Sequence, residues 1–381
     1  MVARSMHLLL FLVIALHGLI HLMGFAKAFK YADISQLTQE ISRSAGLAWL
    51  VCALMFIVAG ALLIIRQPAW WWVALPALIV SQVLIFTFWS NAKFGTVANL
   101  IILLPVLAMA AEARPGSYGN RFKAAVREGL ARHAETPLVT EADLGHLPAP
   151  VQNYLRIAGA VGRPRIRNFR AVFTGEFRNG LKSPWMAFRS VQYNFYDPPA
   201  RLFLMKAALY GLPVEGLHLF RDDGATMQIK VASLAQVVDA KGPRMDQGET
   251  VTLFNDLCLL APAALIDREH IRWEAVGPLA ARARFTNQGI TIGALLSFNE
   301  AGELTDFISN DRFLSVDGTT YLSYPWSTPV SGYRDLDGRR IASNAEVVWH
   351  TPEGEFVYGK FILSELEYNL GPRRGQGRAA K

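Results

Sequence analysis

"NFRAVFTGEF", residues 168–177, is where the chain changes its period. Phe169, Phe173 and Phe177 fall on one side of an extended backbone, as alternating side chains do in a strand. The same period runs through "WMAFRSVQYNFY" (185–196), where Trp185, Val191, Tyr193 and Phe195 share a face that Arg189 interrupts. It continues in "RLFLMKAALY" (201–210), "VEGLHLFR" (214–221) and "ATMQIKV" (225–231). Further on come "IRWEAV", "ARARFT", "TIGALLSF", "ELTDFISNDRF", "RRIASNAEVVWH" and "EFVYGKFILSELEY". The breaks "DDG" (222–224), "NEAG" (299–302), "DLDG" (335–338) and "PEG" (352–354) are tight-turn compositions. The pattern predicts an antiparallel meander of about ten or more strands, one face apolar and aromatic, the other polar.

One segment departs from it. In "ETVTLFNDLCLLAPAALI" (249–266), Val251, Phe254, Leu257, Leu260 and Ala261 form a helical stripe that Pro262 ends. Asn255 and Asp256 at its centre argue against a membrane span, so it reads as a helix covering the sheet's apolar face. Upstream, "PAPVQNYLRIAGAVG" (148–162) predicts a short helix from Pro150 to Gly159. "AETPLVTEADLGHLPAP" (134–150) reads as a linker. The basic, amphipathic "NRFKAAVREGLARH" (120–133) is expected at lipid headgroups.

Before residue 112 the composition is different. Apolar runs at about 7–25, 45–65, 70–90 and 94–111 are each long enough, or nearly so, to cross ~30 Å of hydrocarbon as helices. Trp70, Trp71, Trp72 and Trp89 sit toward the ends of the third, where interfacial aromatics belong. The first run is read as an uncleaved helix. A mean hydropathy of +0.22 agrees with a membrane part joined to a soluble part. Four spans place both termini on one side. That side carries Arg4, Arg66, Arg114, Arg121, Lys123, Arg127 and Arg132, against Lys27, Lys30, Arg43 and Lys93 on the other. Seven to four makes the soluble part cytoplasmic on an inner membrane; the alternative is periplasmic.

"HGLIH" (17–21) puts His17 and His21 one helical turn apart inside the first span. A metal or haem there would need more ligands, and the other spans contain no histidine and no carboxylate at depth. Hydrogen bonding across the bundle, to Gln82 or backbone carbonyls, is the preferred reading. No metal site and no cofactor is predicted.

The predicted layout is multi-domain. Residues 1–112 form a four-helix transmembrane region, and 113–147 an amphipathic helix and linker. Residues 148–370 form an α+β domain, a half-barrel-like antiparallel meander covered by one or two helices. Residues 371–381 form a disordered basic tail.

Four stretches carry a family resemblance: "LPAPVQNYLRIAGAVGRPRIRNFRAVFTGEFR" (147–178), "SPWMAFRSVQYNFYDPP" (183–199), the 249–266 helix, and "DLDGRRIASNAEVVWHTPEGEFVYGKFILSELEYN" (335–369). Residues 147–370 resemble an uncharacterised bacterial family, domain of unknown function 6544. That resemblance implies a fold and no established activity. The meander with its covering helix also resembles, in architecture, the half-barrels of periplasmic lipoprotein carriers, and fold alone does not fix function.

Catalytic motifs are absent: no G-x-S-x-G, P-loop or G-x-G-x-x-G occurs, and "HGLIH" lacks the glutamate of H-E-x-x-H. The net charge of +7 is not bunched into a stripe, which argues against nucleic-acid binding. Cys52 and Cys258 provide no disulfide framework. The function expected is a non-catalytic, membrane-anchored domain binding a lipid or other apolar ligand. Trp185, Phe254, Leu257, Trp326 and Trp349 are its expected walls, and Arg189 or Arg312 its headgroup contact. The alternatives are an enzyme using Asp311, His350 and Glu355 on a membrane-derived substrate, or an assembly or signalling module. The oligomeric state is open.

Overall fold

The structure is a computed structural model that describes residues 2–132, 136–209, 212–315 and 320–372. His133 and the tail from residue 373 lie outside the described residues. The chain divides into two compact units, Met1–Ser117 with Ala232–Leu234, and Tyr118–Val231 with Ala235–Lys381.

The first unit is helical: α1 (Val2–Ala28), α2 (Arg43–Ile64), α3 (Trp70–Thr87), the short α4 (Trp89–Ala92) and α5 (Gly95–Ala113). Among the described residues, four helices are long and apolar enough to cross a membrane, beginning at Met6, Arg43, Trp70 and Gly95. Its core is Ile14, Cys52, Phe56, Ala74, Ile102 and Val106. Glycines set the spacing, as they do in helix pairs with small-residue contacts. A Cβ at Gly18 would stand 2.9 Å from Cβ of Phe56, and one at Gly24 would enter the Trp49 ring.

The second unit opens with α6 (Tyr118–Ala131), α7 (Glu141–Leu144) and α8 (Ala149–Ile157). Strands β1 (Asn168–Phe177), β2 (Met186–Tyr196), β3 (Pro199–Leu209), β4 (Leu212–Arg221), β5 (Gly224–Val231) and β6 (Ala235–Lys241) then follow as hairpins. Helix α9 (Pro243–Leu260) and a 3₁₀ turn (Pro262–Ile266) interrupt. The remainder is β7 (Ile271–Gly277), β8 (Ala280–Asn287), β9 (Ile290–Phe298), β10 (Leu304–Ser309), β11 (Phe313–Leu314), β12 (Leu322–Ser323), β13 (Trp326–Ser327), β14 (Val330–Leu336), β15 (Arg339–Thr351) and β16 (Gly354–Tyr368).

Fourteen strands form one antiparallel sheet, ordered β6-β5-β4-β3-β2-β1-β16-β15-β13-β10-β9-β8-β7, with β14 on β15. The last strand returns to the first, Phe169 opposite Tyr368 and Phe177 opposite Gly359. Laid flat, thirteen strands in a row would span roughly 55–60 Å. Yet α9, only ~10 Å wide, touches β5 and β6 near one edge and β9 and β10 near the other. The sheet is therefore rolled into a half-barrel around α9. Tight turns make this possible: Gln288 and Gly289 both have positive φ (51° and 79°), as do Asp337 and Gly338 (53° and 71°), the signature of type I′ hairpins.

The concave core comprises Phe169, Phe173, Phe254, Phe285, Phe307 and Trp326 among others. Phe254 is fully buried and stacks on Phe285 with ring centroids 4.9 Å apart. Thirteen of the residues of α9 are buried, including Glu249, Asn255 and Asp256, so the helix is enclosed on every side rather than laid across one face.

Two expectations need correction. The face of β2 bearing Val191, Tyr193 and Phe195 looks outward, away from α9, and is covered by α6 through Tyr118, Phe122, Val126 and Leu130. The apolar stripe of the 120–133 segment is thus spent on the sheet and is not free for lipid. A second apolar layer outside the barrel explains why β2 shows aromatics on both faces. The covering helix also begins at Pro243, six residues before the 249–266 segment that announces it, because Gly242 (φ 100°) turns the chain directly out of β6.

Candidate functional site

Helix α9 does not fill the half-barrel. Between it and the concave faces of β2–β6, β15 and β16 lies a cavity of about 430 Å³, within the ~300–1,000 Å³ range of small-molecule sites. Its walls are mainly apolar, with Phe177, Met186, Phe203, Met205, Val238 and Phe361 among them. These residues come from alternate positions of successive hairpins, which is how a period of two builds one continuous lining.

Its polar part stands on α9. Arg201 Nε donates to Asp256 Oδ2 at 2.7 Å, and its Nη1 to Glu249 Oε2 at 3.0 Å. Gln192 and Asn194 donate to the same Asp256 oxygen, at 2.7 and 3.1 Å. His218 Nδ1 lies 3.6 Å from Glu249 Oε1. All three charges are buried: Arg201 is 7% exposed, Glu249 1% and Asp256 8%. Burial alone would raise the Glu249 carboxyl; Arg201 and His218 outweigh it and bring it down to about 2. At Asp256 burial prevails over Arg201 and the carboxyl rises. One arginine between two carboxylates in a dry site does not serve both equally: Glu249 is held down and Asp256 is pushed up.

A second cluster is aromatic. The Arg312 guanidinium lies 4.4 Å from the Trp326 ring centroid and 5.8 Å from that of Trp349. Arg312 Nη1 and Trp326 Nε1 both donate to the Tyr358 hydroxyl, at 3.2 and 3.1 Å. Trp326 and Trp349 face each other as register partners on β13 and β15. Arg244, at the start of α9, stands over Phe313 and Tyr321, 5.7 and 5.4 Å from their centroids.

Of the residues singled out in the sequence, Arg312, Trp326 and Trp349 line the cavity. Phe254 and Leu257 lie in the solid core on the other side of α9. Arg189 is on the outer face of β2, where its exposed side chain stands 3.7 Å from Glu365. Trp185 lies under the Arg178 guanidinium at 4.5 Å and outside the lining. Arg189 lies on the odd-numbered face of β2, which points away from α9, and Trp185 precedes the strand, which begins at Met186. Sequence reading missed Arg201, Glu249 and Gln192. Asp256 was visible as a charge in an apolar helix, but its partner Arg201 is brought to it by the β3 register.

The enzymatic candidates do not converge on the cavity. The Asp311 carboxylate accepts the Gly293 N–H at 2.6 Å. His350 stands 2.8 Å from Ser327 Oγ and 3.5 Å from Glu355, at the far end of the β15–β16 hairpin.

In the first unit, His17, His21 and Gln82 belong to one buried chain of hydrogen bonds. His17 Nε2 donates to Asn99 Oδ1 at 2.9 Å, and His21 Nδ1 to the His17 carbonyl at 2.7 Å. Those carbonyl acceptors fix both tautomers. Ser81 shares its proton between His21 Nε2, at 3.0 Å, and Asn99 Oδ1, at 3.1 Å. Asn99 Nδ2 donates to Gln82 Oε1 at 3.0 Å, and Gln82 Nε2 to Thr96 at 3.2 Å. Gln82 is reached through Asn99 rather than directly.

Among solved structures, the chain is similar to a putative outer membrane lipoprotein-sorting protein domain from Vibrio parahaemolyticus, with 12% identity over 54% of this chain and 87% of that one, TM-score 0.31. It is also similar to a DUF1329 family protein from Desulfovibrio piger, with 13% identity over 58% and 93%, TM-score 0.31. A LolA superfamily protein from Nitrosomonas europaea matches with 9% identity over 57% and 93%, TM-score 0.32. No curated protein matches the chain. A family model covers residues 137–361, from the bridge before α7 into β16, which is more than half of the sequence and all of the cavity's hairpins. By that match the chain belongs to a family of unknown function, DUF6544.

Proposed function

We propose that the second unit is a non-catalytic binding domain whose cavity takes the apolar part of a lipid-like ligand, and that the first unit anchors it in a membrane. The observation that carries this reading is the cavity of about 430 Å³ between α9 and the sheet, walled by Phe, Met, Val and Leu side chains. A domain that used α9 simply as core would close on it, since protein interiors pack to crystal density. Four helices able to cross a membrane keep the domain near a source of apolar ligand. Buried area left open in the free protein is recovered when an apolar chain enters, at ~25 cal/mol per Å².

The test is native mass spectrometry of the full chain released from detergent. A discrete co-purified mass, displaced when Met227→Trp fills the lining, supports the reading. A bare chain mass that stays bare after incubation with phospholipids overturns it.

A further inference from the structure

Six charged side chains line the cavity: arginines 178, 201, 244 and 312, against Glu249 and Asp256. Four against two leaves a formal excess of two positive charges. Arg201 takes both carboxylates. Among the described residues, neither Arg178 nor Arg244 nor Arg312 has a carboxylate oxygen within 4.0 Å. Arg178 spends its donors on the Val357 and Leu181 carbonyls, at 2.9 and 3.0 Å. Among the described residues, the Arg312 side chain makes a single hydrogen bond, to Tyr358, which leaves most of its five N–H donors over. Arg244 stands on the rings of Phe313 and Tyr321. It is also one turn from Gly248, where an added Cβ would stand 3.7 Å from Cγ of Arg312. The two arginines therefore enter one region of the lining, Arg244 from the first turn of α9 and Arg312 from the residue just before β11. Ring faces orient them and leave their N–H edges unspent. A charge in an apolar wall calls for an opposite charge.

Resting on the apolar-ligand reading, we propose that the ligand carries an oxyanion, phosphate or carboxylate, received by Arg312 and Arg244. The planar forks of two arginines suit a group with several coplanar or tetrahedral oxygens, and a zwitterion's ammonium is repelled by both. Arg201 has the opposite role: neutralised by its own carboxylates, it holds α9 to β3 and leaves the ligand's charge to the other pair.

The test measures binding to the full chain in a nonionic detergent, by native mass spectrometry and by tryptophan fluorescence, since Trp326 and Trp349 flank Arg312. The probes are dioleoyl phosphatidic acid, dioleoylglycerol and inorganic phosphate. Phosphatidic acid is expected to bind at least about tenfold tighter than the neutral lipid with the same chains, or ~1.4 kcal/mol. Arg312→Gln and Arg244→Gln each remove most of that preference, bringing phosphatidic acid toward the affinity of dioleoylglycerol, while Arg189→Gln on the outer face of β2 leaves the preference intact. Equal binding of the two lipids overturns the oxyanion site and leaves the apolar reading standing. Phosphate retained without either lipid, and lost in Arg312→Gln, supports the oxyanion site and overturns a lipid as its source. No binding of any probe overturns both.

Discussion

Arg201 and Arg312 line one cavity in opposite electrical states. Arg201 is enclosed with two acids, and removing it would strand them. Arg201→Met is expected to cost about 3–5 kcal/mol, the usual penalty for uncompensated buried charge, read as a lowered urea midpoint of the full chain. Glu249 adds a pH dependence of known sign. Its folded value, about 2, lies below the ordinary carboxylate range. Its stabilisation is complete above the unfolded value and fades as pH falls toward 2. Asp256 runs the other way: its carboxyl is raised, so its contribution is complete at low pH and fades as pH rises through the folded value. Glu249→Gln should therefore lower the melting temperature at neutral pH and flatten its decline in acid. An unchanged acid limb would assign that limb to other groups. At this scale the sequence announced Asp256, a charge within an apolar helix, and Arg312, in the polar stretch "SNDRF" (309–313). It did not announce Arg201 with Glu249, because Arg201 meets α9 at sequence separations of 48 and 55 residues.

The strands were legible because a period of two survives in a chain whose turns are marked by glycine and aspartate. Which face points inward was less legible, since β2 is apolar on both: Phe188 looks to the core and Tyr193 to α6. A sheet with a second layer outside it cannot be oriented by hydrophobicity alone. The start of α9 was hidden for a related reason, its first turns being polar and supported by the cavity's charges rather than by an apolar stripe. The two halves of the sheet are joined where β1 meets β16, and Gly175 decides how closely. A Cβ there would collide with the Lys360 carbonyl oxygen on the neighbouring strand, a backbone atom that cannot rotate aside. Gly175→Ala is expected to destabilise by about 2–3 kcal/mol through overpacking. Gly216→Ala on β4, whose nearest neighbour is the flexible Met205 side chain at 3.7 Å, should stay within ~1 kcal/mol. Thermal melts of the two variants side by side check this; equal losses would show that the β1–β16 junction tolerates slack. Helix α9 has its own test: Phe254→Ala empties a fully buried site between Phe285 and Phe307 and should cost about 3–5 kcal/mol.

For the molecule as a whole, under the proposed membrane anchoring, the decisive variable is the side on which the second unit stands, because that sets which ligands can reach the cavity. Composition alone separated an apolar first part from a mixed second part, and the helices α1, α2, α3 and α5 follow that division. Sidedness rests on a smaller signal, seven basic residues against four at the span ends, and a positive bias marks the cytoplasmic side. The two native cysteines give a clean background for measuring it. Cys52 and Cys258 are both fully buried, so a membrane-impermeant maleimide should find neither. One cysteine placed at the exposed Lys182, in the β1–β2 turn, then reports the compartment. The charge bias predicts labelling in inverted vesicles and none in sealed cells, which would confine the cavity to amphiphiles of the inner leaflet and cytoplasm. Labelling in sealed cells would invert the topology, and with it the source of the oxyanion ligand, since the guanidinium groups of Arg244 and Arg312 would then meet only anions exported across the membrane.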